Sequence, residues 1–118
     1  RFIGAAFYES TWKDVVCDGC NFSYANFGSA HFERCAFTEC LIKDGGFNLC
    51  HQKHLVFRSC DLQACSFAST SLAGIHLESD RIDGITVSEE SLRDVFLSPS
   101  QAIALIALLG IHVVEEPL

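Results

Sequence analysis

The sequence predicts an all-β solenoid, a chain that bends every five residues and stacks its turns on one another. Two observations predict it. Taken at every fifth position from Phe2 to Leu97, only Cys17 and Gln52 are not large and apolar. The residue two places earlier is mostly small: Ala5, Ser10, Cys20, Ala25, Ala30, Cys35, Cys40, Gly45, Cys50, Cys60, Cys65 and Thr70. A period of five fits neither a helix, which repeats near 3.6 residues, nor a flat strand, which repeats at about 2.

Residues two apart share a face in extended backbone, so the small and the large residue both point inward. The other three positions are mostly polar. Turn-forming residues often close the pentad, as at Asp14, Gly19, Ser29, Asp44, Ser59, Ser69, Gly74, Ser79 and Gly84. A bend of about a right angle per pentad closes a square coil after four pentads, and such coils stack at about 4.8 Å. The large residues then fill the axis of a narrow tube, which leaves room only for a small neighbour.

This register lays out ladders along the chain. One stacks Phe7, Phe27, Phe47 and Phe67 above Val87, which suits offset aromatic stacking, with Ala5, Ala25, Gly45 and Cys65 beside them. Its neighbour stacks Phe2, Phe22, Ile42, Leu62 and Ile82, with Cys20, Cys40 and Cys60 in its small column. Three residues depart from the pattern. Gln52 places an amide between Phe32 and Leu72, where leaving it unsatisfied costs about 1 to 3 kcal/mol. A distorted or outward-looped pentad is expected there, one that Leu or Phe would improve. Asp80 and Glu90 fall in the small column, so the last coils are expected to loosen or to use those carboxylates as caps for free backbone N–H groups.

Residues 98–118 change character. Ser98 is the expected N-cap, Pro99 suits the first helical position, Gln101 completes a capping box and Gly110 is the stop. The helix between them, Ala102 to Leu109, is apolar on every side. One side covers the open end of the stack, and the other needs a second partner. Residues 1–97 and 98–118 are read as one domain.

The pentads, plainest in CNFSY (20–24), ANFGS (25–29), CDLQA (60–64) and DRIDG (80–84), resemble the pentapeptide-repeat family, whose motif is small, Asp or Asn, Leu or Phe, any residue, then often Gly. The likeness runs over residues 1–97. It implies a right-handed four-sided parallel β-helix of about five 20-residue coils, capped by a C-terminal α-helix and a short strand. Within the family, CNFSYANF and the chain ending resemble the quinolone-resistance (Qnr-type) proteins. That resemblance implies a homodimer through the C-terminal helix, with Ile103, Leu105, Ile106, Leu108 and Leu109 as cap and interface.

Composition narrows the function classes. A net charge of −7 disfavours direct nucleic-acid binding, which needs clustered Lys and Arg. No apolar run approaches the roughly 18 residues that cross a bilayer, so no membrane partner is expected. The chain starts at Arg1 and contains no Met, which suggests a piece of a longer one. Six of the seven cysteines sit in the small inward column, where they act as buried, reduced hydrophobes and imply a cytoplasmic setting. His31, His51 and His54 read as surface residues, since Cys50 points inward, His51 outward, and no carboxylates complete a metal shell. There is no phosphate loop, nucleophile elbow or carboxylate pair, and a filled tube offers no pocket, so neither enzyme activity nor a cofactor is expected.

The expected function is therefore a non-enzymatic protein–protein interaction module or scaffold of unknown partner. Charge supplies an alternative. Residues 1–60 hold six acidic and six basic side chains, whereas residues 61–97 hold seven acidic and two basic. Asp61, Glu78, Asp83, Glu89 and Asp94 form an expected acidic surface, and joining two C-terminal ends would place it at the centre of a rod. That arrangement resembles the DNA-mimic rods of the quinolone-resistance relatives and implies a modulator of DNA gyrase, a type II topoisomerase. Qnr-type members usually carry loops that interrupt the pentads; no insertion does so here.

Overall fold

A backbone kink returns at every fifth residue. From Gly4 through Gly74 the last member of each pentad has a positive φ, and Gly84 and Asp94 continue the series. Several of these residues are neither Gly nor Asp, as at Tyr24, Leu49 and His54, so packing on both sides holds a conformation that their side chains disfavour. Each kink turns the chain after a few residues, and where a tight turn closes it, as with Ala25 N to Phe22 O, no regular strand forms.

The computed structural model describes residues 1–118. Its elements are β1 (Thr11–Lys13), β2 (Val16–Asp18), β3 (His31–Thr38), β4 (His51–Arg58), α1 (Glu89–Leu92) and α2 (Pro99–Leu108). The strands form one parallel sheet. β1 and β2 lie along one edge of β3, and β4 lies along the other.

This corrects the predicted all-β solenoid, the four-sided β-helix of five coils. The structure holds four short strands in a sheet that neither closes nor curls, together with two short helices. Outside the strands, pairing shrinks to single bridges such as Asn21↔Leu41 and Gly46↔Ser66. Tight turns are the reason: bonds such as Ala25 N to Phe22 O and Gly45 N to Ile42 O close those corners and interrupt the ladder, whereas the kinks at Arg34 and His54 carry no such bond and the ladder runs through them. The short strand expected after the helix is also absent, and Ile111–Leu118 runs exposed with no pairing.

Strand pairs and bridges alike join residues twenty apart, for example Thr11↔His31, His31↔His51 and Asp61↔Arg81. The molecule is elongated, 51 × 24 × 21 Å. Large side chains meet along its middle in a cluster of 23 buried residues. Phe7, Phe27, Phe47 and Phe67 stack in sequence with centroids 5.3, 4.8 and 5.3 Å apart.

The small inward residues do more than save space. Cys50 Sγ donates to Phe27 O (3.1 Å), Cys60 Sγ to Phe37 O (3.1 Å) and Cys65 Sγ to Ile42 O (2.9 Å). Thr70 Oγ1 makes the same contact with Phe47 O, and Ser91 Oγ with Phe67 O. A short side chain with a donor head thus satisfies a carbonyl one level back, which Ala cannot do.

The three departures resolve differently. Gln52 causes no distortion: β4 runs straight through it, in register with Phe32. Asp80 is buried, and its Oδ1 accepts from Cys60 N at 2.7 Å. At Glu90 a helical turn, α1, takes over; Glu90 faces solvent and Ser91 is buried in its place.

Candidate functional site

The end of the molecule carrying α2 is built from its sequence as a cap. Ser98 Oγ accepts from Gln101 N (3.2 Å) while Gln101 Oε1 accepts from Ser98 N (2.9 Å), closing a capping box behind Pro99. The same glutamine ties the helix to the stack, because its Nε2 donates to Leu77 O (2.8 Å) and Asp80 O (3.0 Å). At the other end Gly110, at φ 77, donates to Ala107 O, and Ile111 N donates to Ile106 O. That pair of bonds is the Schellman arrangement, which requires the left-handed glycine.

Helix geometry then separates the expected interface residues. Leu105 is 5 % exposed and belongs to the core cluster. Ile106 is half-buried. Ile103, Leu108 and Leu109 are 53, 57 and 49 % exposed. Ile103 lies two residues from Leu105, about 160° around the helix, and so points away from the stack. A shallow groove of about 120 Å³ runs between Ile82–Gly84 and Gln101, Ala104, Leu105 and Leu108. No charged residue occurs in α2.

The acidic residues do not form one stripe. Asp61 is half-buried and pairs through its backbone with Arg81, so a cation stands in its own column. Asp83 lies beside that column, where its carbonyl accepts from Ala64 N. Glu78, Glu89 and Asp94 are exposed in other columns. Glu78 Oε2 lies 3.1 Å from His76 Nδ1, a contact that holds its carboxyl below the usual range. His76 in turn stacks on exposed Phe96, with ring centroids 4.0 Å apart.

The remaining chemistry is sparse. No group of three or more His, Cys, Asp or Glu side chains is placed to hold a metal ion. The rings of His31 and His51 stack at 4.8 Å. All seven cysteines are free; five are buried, and Cys17 and Cys20 are half-buried. Burial pushes the thiols of Cys60 and Cys65 up to about 12. No helix is long and apolar enough to cross a membrane.

Sequence reasoning missed the His76–Phe96 stack, the Arg81 beside Asp61, and the partners of Gln52. Gln52 Nε2 donates to Ser71 O (3.3 Å) and Ala73 O (3.1 Å), and its Oε1 accepts from Leu55 N (3.3 Å). A signal was present. Gln52, Thr70 and Asp80, all polar in inward columns, fall at the same junction between successive levels.

At the family level the chain is similar to pentapeptide-repeat proteins: the family model described as pentapeptide repeats (8 copies) matches residues 1–39. No curated protein is similar to it in sequence. Among solved structures it resembles HetL, a pentapeptide-repeat protein involved in heterocyst differentiation regulation in the cyanobacterium Nostoc sp. strain PCC 7120. The TM-score is 0.66 at 15 % identity, over 80 % of this chain and 44 % of HetL. It also aligns with a trypsin-treated QnrB1, a plasmid-mediated fluoroquinolone resistance protein, with a TM-score of 0.45 at 17 % identity, over 96 % of this chain and 62 % of that one. The likeness to HetL is one of backbone fold, and the chain spans less than half of HetL's length.

Proposed function

We propose that the chain is a non-enzymatic protein-binding module that works as a homodimer joined through the outward side of α2. The two-sidedness of that helix carries the reading: Leu105 is buried against the stack while Ile103, Leu108 and Leu109 stand about half exposed. Apolar side chains gathered on a helix with no charge are costly to leave in water. A two-fold axis covers such a patch with its own copy. Likeness to HetL, a regulatory protein, supports action through binding, and the free thiols suit a reducing, cytoplasmic setting.

Ile103→Asp tests it. The substitution would bury an unpaired charge in an apolar joint, at several kcal/mol, and should convert a dimer to a monomer in sedimentation with an unchanged circular dichroism spectrum. A wild-type monomer at high micromolar concentration, or a dimeric Ile103→Asp, overturns the reading.

The charge asymmetry favours a second reading. Exposed Glu78, Asp83, Glu89 and Asp94 lie in the half that α2 would bring together, which gives a centre-negative rod that imitates DNA toward a type II topoisomerase such as gyrase. A supercoiling assay with purified gyrase, with and without a quinolone, decides between the two. No effect at micromolar protein leaves the binding module with another partner.

A further inference from the structure

The backbone ladder is interrupted at one place inside the molecule. β4 makes seven register pairs with β3 below it, yet no backbone hydrogen bond joins residues 51–59 to residues 71–79 above. On the remaining sides the same two levels stay joined, through Leu62 N to Arg81 O, Ala64 N to Asp83 O and Phe67 N to Thr86 O, each 2.8 Å. Local backbone explains the break. Residues 71–79 make tight turns closed by Ile75 N to Leu72 O and Asp80 N to Leu77 O, both 2.9 Å, whereas β4 kinks at His54 without such a backbone bond and stays paired with β3 through that corner, Cys35↔Leu55. A tight turn stacked on a wider corner cannot keep its N–H and C=O groups aligned with those below.

Side chains stitch the gap. Cys50 N donates to Thr70 Oγ1 (3.0 Å), Ser59 N to Ser79 Oγ (3.1 Å) and Cys60 N to Asp80 Oδ1 (2.7 Å), and the Gln52 amide bridges to Ser71 and Ala73. Two open grooves, of about 340 and 280 Å³, follow the seam and meet at Leu55 and Gly74. We propose that this seam is a pH-gated hinge, latched by Asp80 in its protonated form and released as that carboxyl ionises.

Asp80 is the one stitch that titrates. It is 6 % exposed, and its Oδ2 has no hydrogen-bond partner. An ionised carboxylate there has a single N–H donor, whereas an opened seam lets water reach both oxygens. Nothing nearby offsets the charge. The Cys60 thiol and the Glu78 carboxylate are the titratable groups that face it, and α2, packed over it through Gln101, carries no charge. Burial, with a smaller contribution from Glu78, lifts the Asp80 carboxyl to about 7 from 3.8, against the pull of the Cys60 N–H. The sign follows: the latch is complete below pH 3.8 and is lost as pH rises through about 7, opening becoming about tenfold easier per unit between the two.

Amide hydrogen exchange on the intact protein, followed by NMR from pH 5 to 7, tests this. Intrinsic exchange rises about tenfold per pH unit, so the logarithm of rate against pH should have a slope of about one at Leu62 and Phe67, on the joined sides, and about two at Ser59 and Cys60, on the seam. Asp80→Asn keeps an acceptor for Cys60 N and removes the titration, so its slope should fall to about one everywhere. A slope of one at Ser59 and Cys60 in the wild type, or of two at Leu62 and Phe67 as well, overturns the hinge; this comparison stands even if Asp80→Asn fails to fold.

Discussion

Gln52→Leu is the substitution on which the linear sequence and the folded chain disagree in sign. From the pattern alone, an amide in a column of Phe and Leu is an intruder, and Leu should raise the melting temperature. In the structure the amide makes three hydrogen bonds, two from Nε2 to the carbonyls of Ser71 and Ala73 and one to Oε1 from Leu55 N. Each is worth about 0.5 to 1.5 kcal/mol net, toward the lower end here because the residue is half-buried. Leu recovers about 1 kcal/mol from added apolar burial. The balance is a loss of about 0.5 to 2 kcal/mol, which for a domain of this size lowers Tm by roughly 2 to 10 °C. Thermal unfolding followed by circular dichroism, with urea unfolding as a check on m, measures it. A Gln52→Leu variant that melts at or above the wild type would refute the stitching role of the amide.

Two further outcomes follow from the core. Phe47→Ala removes a ring that stacks on Phe27 and Phe67 and meets Phe57 edge-on at 5.6 Å; it should cost about 3 to 5 kcal/mol, read by urea unfolding, and a loss below about 1 kcal/mol would mean that the stack collapses around the vacancy. A thiol reagent on the native protein should reach no more than Cys17 and Cys20, and all seven cysteines after denaturation. Burial pushes the Cys17 thiol up to about 11, so it should react slowly for its exposure. Rapid native modification of Cys60 or Cys65 would contradict their burial.

The period of five was legible because it is a packing rule. Phe22, Phe27, Phe37, Phe47, Phe57 and Phe67 are each no more than 2 % exposed. Helix α2 was legible for a different reason, since Ser98, Pro99, Gln101 and Gly110 each act within one turn of their own position. The extent of strand was not legible. The same inward pattern is compatible with a paired corner that has no closing backbone bond, as at Cys35, and with a tight hydrogen-bonded turn, as at Ile75. The neighbours of the acids were not legible for a related reason: counting charges along the chain places Asp61 among the acids, whereas pairing at a distance of twenty sets it beside Arg81.

The polar residues that break the pattern are better understood together than singly. Gln52, Thr70 and Asp80 each look like a defect in an apolar column, and each costs stability if its neighbours are apolar. All three lie at the junction where the backbone ladder is missing, and each supplies a donor or acceptor that the ladder would otherwise provide. The side chains follow from the change of turn: once residues 71–79 adopt tight turns, N–H groups of the level below need acceptors, and an apolar Leu at 70 or 80 would leave them bare. The same junction divides the chain in charge and in secondary structure. Below it lies the charge-balanced part with the sheet, and above it lie α2 and the exposed carboxylates, so the proposed hinge would set the proposed partner surfaces apart from the sheet.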